Sequence, residues 1–345
     1  MNYETILQHA FTIVRRHRAF WVLGFIWAIA GGTGGGYNWF QYTVGGNGGS
    51  GGATGNAGGA TLDPGAIAAV VVPLLIAACC LVLVLIVVST IVRYVVMVGT
   101  MRSLDHLDRF GIEPTVRGAW SEGWNARTWR PFLQNLVVGM PLAILAVLSL
   151  GLVAAPLLLA VLGEESAIAA AFVGMACMFC LWILALIAVS TVIGVLRELW
   201  WRAAVLDDQD FVTAMADSIQ LARANVGQLA MTWVVMFVVG LVWFAITIAL
   251  GVALGLLTAV VAGLPALLLY QATDAWVLPV LVGVPLALLT FGVPMTIAQG
   301  LYLVFHASVW NQVYRQLPHR GAAGLPDGPL GAGLGSAAGS STASM

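Results

Sequence analysis

The chain contains no lysine; its 14 basic residues other than histidine are all arginine, so lysine amine and Schiff-base chemistry is excluded. Charged residues of any kind make up 8% of the 345 residues and hydrophobic ones 60%, whereas soluble domains are roughly a quarter charged. A water-soluble fold of this length could not bury so much apolar surface, so the bilayer is its natural solvent. Cysteine is confined to Cys79, Cys80, Cys177 and Cys180, each inside an apolar run. That placement excludes a disulfide framework. It also makes Cys177-Met-Phe-Cys180 a small-residue packing surface rather than a metal hairpin, which would need an exposed turn and a nearby histidine. No metalloprotease H-E-x-x-H, P-loop or dinucleotide fingerprint occurs outside a poly-glycine stretch. Gly48-Gly49-Ser50-Gly51-Gly52 satisfies G-x-S-x-G by letter only, with no strand before it, no helix after it and no histidine on its side. No basic patch is dense enough for nucleic acid.

One further scarcity sets the topology. Residues 32–63, 162–167 and 264–276 contain no basic residue, only Asp63, Glu164, Glu165 and Asp274. The arginines and histidines all fall in the alternate connections and the termini. Inside, 14 arginines face 11 acids for a net +3; outside, four acids face no base for −4. Cytoplasmic loops are enriched in Lys and Arg, so both termini are expected in the cytoplasm.

Six apolar runs are candidates to span about 30 Å of hydrocarbon, which takes about 20 helical residues. They are 19–31, 65–92, 132–161, 168–196, 228–262 and 277–305. The first is short, and Ile6, Leu7, Phe11 and Val14 are expected to extend it inward while Arg15, Arg16 and Arg18 snorkel. Its arginine-rich start and Ala28-Ile29-Ala30 also fit a signal peptide cleaved after Ala30, but the residues before it read as an amphipathic helix rather than a plain leader. Pro279, Pro285 and Pro294 are expected to break the sixth run, and Gly251 and Gly255 form a G-x-x-x-G helix-packing motif on the fifth.

Residues 31–65 hold 15 glycines around the aromatic island Tyr37, Trp39, Phe40 and Tyr42, and read as a flexible outer loop. Residues 1–317 form the membrane domain, and 318–345, rich in Gly, Ala, Ser and Pro, read as a disordered tail. Three cytoplasmic segments share a loose pattern: Ala10-Phe-Thr12, Ala119-Trp-Ser121 and Ala216-Asp-Ser218, each before an arginine (Arg16, Arg127, Arg223) and then an apolar run. Each reads as an amphipathic helix in the inner interface, with Val116, Trp120 and Trp124 on one face of the second and Val212, Met215, Ile219 and Ala222 on one face of the third. The expected fold is all-α: six transmembrane helices as three hairpins, each introduced by an interfacial helix.

Two stretches carry a family resemblance: Tyr3 to Phe25 (YETILQHAFTIVRRHRAFWVLGF) and Arg202 to Leu229 (RAAVLDDQDFVTAMADSIQLARANVGQL), the latter with Ala-Val, an acidic turn and an Ala/Ser-rich helix ending at Arg223 and Asn225. The chain resembles the six-helix membrane domain fused to some bacterial glycerophosphoryl diester phosphodiesterases, and related bacterial membrane families of unknown function. The resemblance covers about 50 residues by motif and most of the chain by topology. It implies a bacterial inner-membrane location and a fold, but no activity, since the chain has no phosphodiesterase domain.

The centres of the runs lack ionisable residues, against a transporter coupled to ions through midplane carboxylates. An uncharged polar face remains on the sixth run: Gln299, Tyr302 and His306 at i, i+3 and i+7. Glu198 and Arg202 are four apart and are expected to pair near the inner boundary, where Arg93, Arg197 and His306 also lie and snorkelling suffices. Asp105-His-Leu-Asp108 and Asp207-Asp208-Gln-Asp210 are both D-x-x-D on the inner side, the pattern in which carboxylates would hold Mg²⁺ on a diphosphate, although Asp207, Asp208 and Asp210 also suit a helix start. No catalytic or cofactor-binding residue is assigned. Three readings stay open: a non-enzymatic scaffold, accessory subunit or membrane-homeostasis factor; a permease or lipid facilitator using the kinked sixth helix; and a Mg²⁺-dependent membrane transferase. The expected partners are membrane lipids and either another membrane protein or a second copy.

Overall fold

A chain in hydrocarbon satisfies its backbone within helices, and in the computed structural model the described residues, 1–31, 64–125, 128–161, 165–273 and 275–318, form helices and no strand. The Gly-rich outer loop with its aromatic island and the tail after 318 lie outside the described residues. In chain order the helices are α1 Tyr3–Arg16, α2 Ala19–Ile29, α3 Pro64–Phe110, α4 Val116–Gly123, α5 Trp129–Val161, α6 Glu165–Leu206, α7 Phe211–Ala224, α8 Val226–Thr273 and α9 Val277–Gln316. A π turn interrupts α8 at Ala259–Gly263 and another interrupts α9 at Leu288–Gly292. The protein is a multi-pass helical membrane protein.

Among the described residues five helices, α3, α5, α6, α8 and α9, are long and apolar enough to cross a bilayer. The expected first span, α2, is not among them: it has 11 residues, so at 1.5 Å per residue it covers about 17 Å, roughly half the hydrocarbon. Its main neighbour also differs from the expected hairpin, because α2 packs more closely on α9 than on α3. Gly24 and Gly300 make that crossing: a Cβ on Gly24 would lie 2.5 Å from the Gly300 carbonyl oxygen, and one on Gly300 would lie 2.4 Å from the Gly24 carbonyl carbon. Only backbones without side chains come this close.

The long helices exceed a membrane's thickness. At 47 residues, α3 is about 70 Å long. Among the described residues both hydrophobic clusters lie at their arginine-bearing ends. Phe20, Leu23 and Trp27 of α2 pack there with Tyr94–Met101 of α3, Trp200 and Trp201 of α6, and Leu303, Val304 and Ala307 of α9. A second cluster joins Ile6 and Ala10 of α1 to Leu199 and Ala203 of α6, Ala214 of α7, and Trp310 and Tyr314 of α9. Towards the other end α3 stands apart from the other helices. Leu81–Val88 of α3 are each between 50% and 62% exposed, on every face of the helix. There α5 packs along α6, tied by Trp182 Nε1 donating to Ser149 Oγ at 2.8 Å. The two segments of α8 and α9 around the π turns pair as well, with Thr258 and Thr290 hydroxyls 3.0 Å apart and Gly283 close against Ala266.

The short helices begin where their sequences say they should. Asn2 caps α1 by accepting from Thr5 N, and the Ile6, Ala10, Ile13 stripe is buried. Thr115 caps α4 by accepting from Gly118 N. From there α4 doubles back along α3: a Cβ on Gly99 would meet the Ala119 carbonyl oxygen at 2.1 Å, and one on Gly123 the Val95 oxygen at 2.0 Å. Trp120 and Trp124 stack and remain exposed on its outer side. On α7 the face against the protein is Ala214, Ser218 and Leu221, while Val212 points outward.

Candidate functional site

Glu198 precedes Arg202 by one turn on α6, the order in which such pairs are most favourable. The pair forms, Arg202 Nη1 to Glu198 Oε2 at 2.6 Å. Snorkelling does not describe it, because the Arg202 side chain is fully buried and that of Glu198 is 6% exposed. Burial comes from α9 lying alongside: Arg202 Nη2 donates to the Ala307 carbonyl at 3.3 Å, and Trp310 presents its ring 5.9 Å from the guanidinium. Trp310 Nε1 in turn donates to His306 Nε2 at 3.2 Å. One turn further out, Tyr302 stacks on Trp243 of α8 with ring centroids 5.2 Å apart. Of the expected polar face, Tyr302 is thus buried against α8, His306 is buried between Tyr302 and Trp310 of its own helix, and Gln299 is half-buried beside them.

The acids at the arginine-bearing end separate into individual ties. Arg315 of α9 donates to Asp105 at 2.7 Å and reaches Asp207 at 3.5 Å. Tyr314 donates to the other oxygen of Asp207. Asp108 meets His9 of α1 at 3.0 Å, and Asp208, in a left-handed conformation with φ 58°, meets Arg130 of α5 at 3.0 Å. Asp210 sits at the N-cap position of α7 without a capping side-chain bond. The structure therefore brings Asp105 and Asp207 to one arginine and holds Asp108 and Asp208 on separate partners. Among the described residues no group of three or more His, Cys, Asp or Glu side chains is placed to hold a metal ion. Arg315→Gln is expected to cost about 1–3 kcal/mol, since hydrogen bonds to charged groups are of that order, and thermal denaturation in detergent measures it. Adding Asp105→Asn should cost less than the two single losses together.

Cavities lie between the described helices. One, of about 530 Å³, lies between α3, α4 and the start of α5, walled by Ile86, Thr90, Tyr94, Trp124, Trp129 and Phe132 among others. The second, of about 550 Å³, runs between α8 and α9 beside the π turns, walled by Gly255, Thr258, Ala262, Pro279, Gly283 and their neighbours. Neither reaches Gln299, Tyr302 or His306. Of the G-x-x-x-G motif, Gly251 has only the Met295 methyl at 4.0 Å, and Gly255 has nothing within 4 Å and borders the second cavity. The close approaches fall instead at Gly24, Gly99, Gly123 and Gly300, which sequence reading missed. Gly24 had a signal, as the single glycine in an otherwise bulky apolar helix.

Neither a protein-family model, nor a curated protein, nor a solved structure matches the chain.

Proposed function

We propose that the protein is a non-enzymatic integral component of the bacterial inner membrane, acting as a scaffold, accessory subunit or membrane-homeostasis factor, with both termini in the cytoplasm. The observation that carries this reading is the outer half of α3, whose apolar side chains are exposed on all faces through Leu81–Val88. Just before it, Ala77, Ala78, Cys79 and Cys80 form an exposed collar of small side chains, the kind of surface that lets another helix approach closely. The ionic groups support the same reading: they tie helices together, as Glu198 and Arg202 do between α6 and α9. The arginine asymmetry supports the orientation, and the resemblance to the six-helix membrane domain supports a fold carried without an activity.

A facilitator is the second reading. It draws on the paired π turns of α8 and α9 and the cavity between them, since broken helices in transporters often border a substrate path. A Mg²⁺-dependent transferase has less support, because Arg315 already occupies the space between Asp105 and Asp207.

Native mass spectrometry after gentle extraction from the native membrane tests the proposal. The expected result is the chain in fixed stoichiometry with a second copy or another membrane protein. A lone chain that passes solute in proteoliposomes, with flux lost on Ala262→Trp, which would fill the cavity between α8 and α9, would overturn it in favour of the facilitator.

A further inference from the structure

The cavity between α3, α4 and the start of α5 is held open by fixed contacts on each side. Two backbone approaches pin α4 to α3, Gly99 against Ala119 and Gly123 against Val95. Asn135 Nδ2 of α5 donates to the Tyr94 hydroxyl of α3. Beside that tie, Phe132 meets the Tyr94 ring edge to face at 5.6 Å and the Trp129 ring likewise at 5.7 Å. These rings brace one wall, and the space they leave is about 530 Å³, inside the range of about 300–1,000 Å³ found for ligand sites. Left empty, an apolar void of that size would cost energy on the scale of a whole domain's stability.

The walls decide what fills it. Among the described residues no charged side chain lines the cavity, so an ion would find no counter-charge there. The polar side chains in the wall are already engaged. Thr90 Oγ1 donates to the Ile86 carbonyl at 2.7 Å, Thr128 Oγ1 to the Gly123 carbonyl, Tyr94 accepts from Asn135, and Asn125 has a partner too. Water needs several polar partners and leaves an apolar cavity dry. Hydrocarbon remains. From Val95 to Ile86 the α3 wall is nine residues long, about 13 Å at helical rise, close to the depth of one hydrocarbon leaflet. At the arginine-bearing end Trp124 and Trp129 are 62% and 52% exposed, and tryptophan favours the level where headgroups meet acyl chains.

We propose that the cavity holds one acyl chain of a membrane phospholipid from the leaflet at the arginine-bearing end. The chain lies along Val87, Ile91 and Phe132, and its glycerol end rests beside Trp124 and Trp129. It fills the gap between α3 and α5 on the outer side of α4. Because the wall carries no charge, the chain is recognised and the headgroup is not. The assignment needs only that the helices lie in a bilayer, so it stands or falls apart from the scaffold reading.

The test uses the full chain in detergent, delipidated and then offered phosphatidylglycerol or phosphatidylcholine with a photoreactive diazirine midway along one acyl chain. Cross-links are mapped by mass spectrometry. Labelling of Ile86–Val95 and Trp129–Phe132 should exceed that of Leu81–Leu85, an exposed apolar stretch of the same α3, by roughly tenfold, as a modest binding preference gives. The two lipids should label alike. Ile91→Phe, which puts a ring into the cavity, should lower labelling of the remaining wall several-fold and leave Leu81–Leu85 unchanged, a pattern that general loss of the fold would not produce. Even labelling of the cavity wall and Leu81–Leu85 by the wild-type chain would overturn the proposal and make the cavity part of the ordinary lipid boundary. A strong preference for one headgroup would also overturn it. So would loss of cavity labelling to an equimolar prenylquinone but not to excess unlabelled phospholipid, which would assign the space to an isoprenoid.

Discussion

Gly300→Val is expected to abolish accumulation of the folded protein, with Gly24→Val doing the same from the opposite side. The added Cβ at either position would sit 2.4–2.5 Å from the backbone of the other helix, and backbone cannot rotate away as a side-chain tip can. Overpacking of ordinary core positions costs about 1–3 kcal/mol. Here the clash is with the axis of α2 itself, so relief requires separating α2 from α9 and exposing Phe20, Leu23 and Trp27, which are 0–4% exposed. Losing a large buried side chain's contacts costs about 3–5 kcal/mol, comparable to much of a domain's total stability. Alanine should be nearly as damaging as valine, because the first carbon already collides. The control is internal. Gly139 and Gly194 are helical with nothing within 4 Å of a built Cβ, so alanine there should be neutral or stabilising by up to about 1 kcal/mol. Detergent-extracted yield by size exclusion, followed by thermal melting, measures all of these. Equal tolerance at Gly300 and Gly139 would refute the crossing.

The second large effect is at the buried ion pair. Arg202→Met alone leaves Glu198 charged and buried, and Glu198→Met alone leaves Arg202 in the same state. Each is expected to cost about 3–5 kcal/mol, the usual consequence of removing one member of a buried pair. Replacing both, Glu198→Met with Arg202→Met, should recover most of that loss or exceed wild-type stability, since apolar replacements of buried pairs are often neutral or stabilising. A double-mutant cycle on melting free energies therefore gives a coupling of several kcal/mol. Additive losses would mean that the two charges do not sense each other. Arg202 also donates to the Glu198 and Ala307 carbonyls, so a small residual deficit in the double variant would report those two bonds.

The membrane class, the positions of five long helices and the separation of arginine-rich from arginine-free connections were legible in the sequence because each depends on composition over a window of 20 residues or more. The Glu198–Arg202 pairing was legible because it is local, four residues on one helix. Its burial was not, because that depends on Ala307 and Trp310 arriving from more than 100 residues away. The same limit applies to the acids. Their presence in two D-x-x-D stretches was plain, but the cation they share belongs to α9, and nothing near Asp105 or Asp207 in sequence names Arg315. Six spans were read where five are long enough because 19–31 counts as apolar by composition, while only Ala19–Ile29 forms the helix. G-x-x-x-G spacing pointed to Gly251 and Gly255, yet the tight crossings use isolated glycines, for which a spacing rule has no signal.

The long helices share a core at one end, and beyond it α3 stands apart while α5 with α6 and α8 with α9 continue as pairs, which turns each into a lever. The apolar stretch of α6 at 168–196 projects from a pivot near Arg202, and over about 43 Å of helix a tilt of roughly 5° moves its far tip by about 4 Å. A displacement too small to disturb the pivot thus becomes a large excursion in the opposite leaflet, and a sideways push on the tips is returned to the pivot as torque.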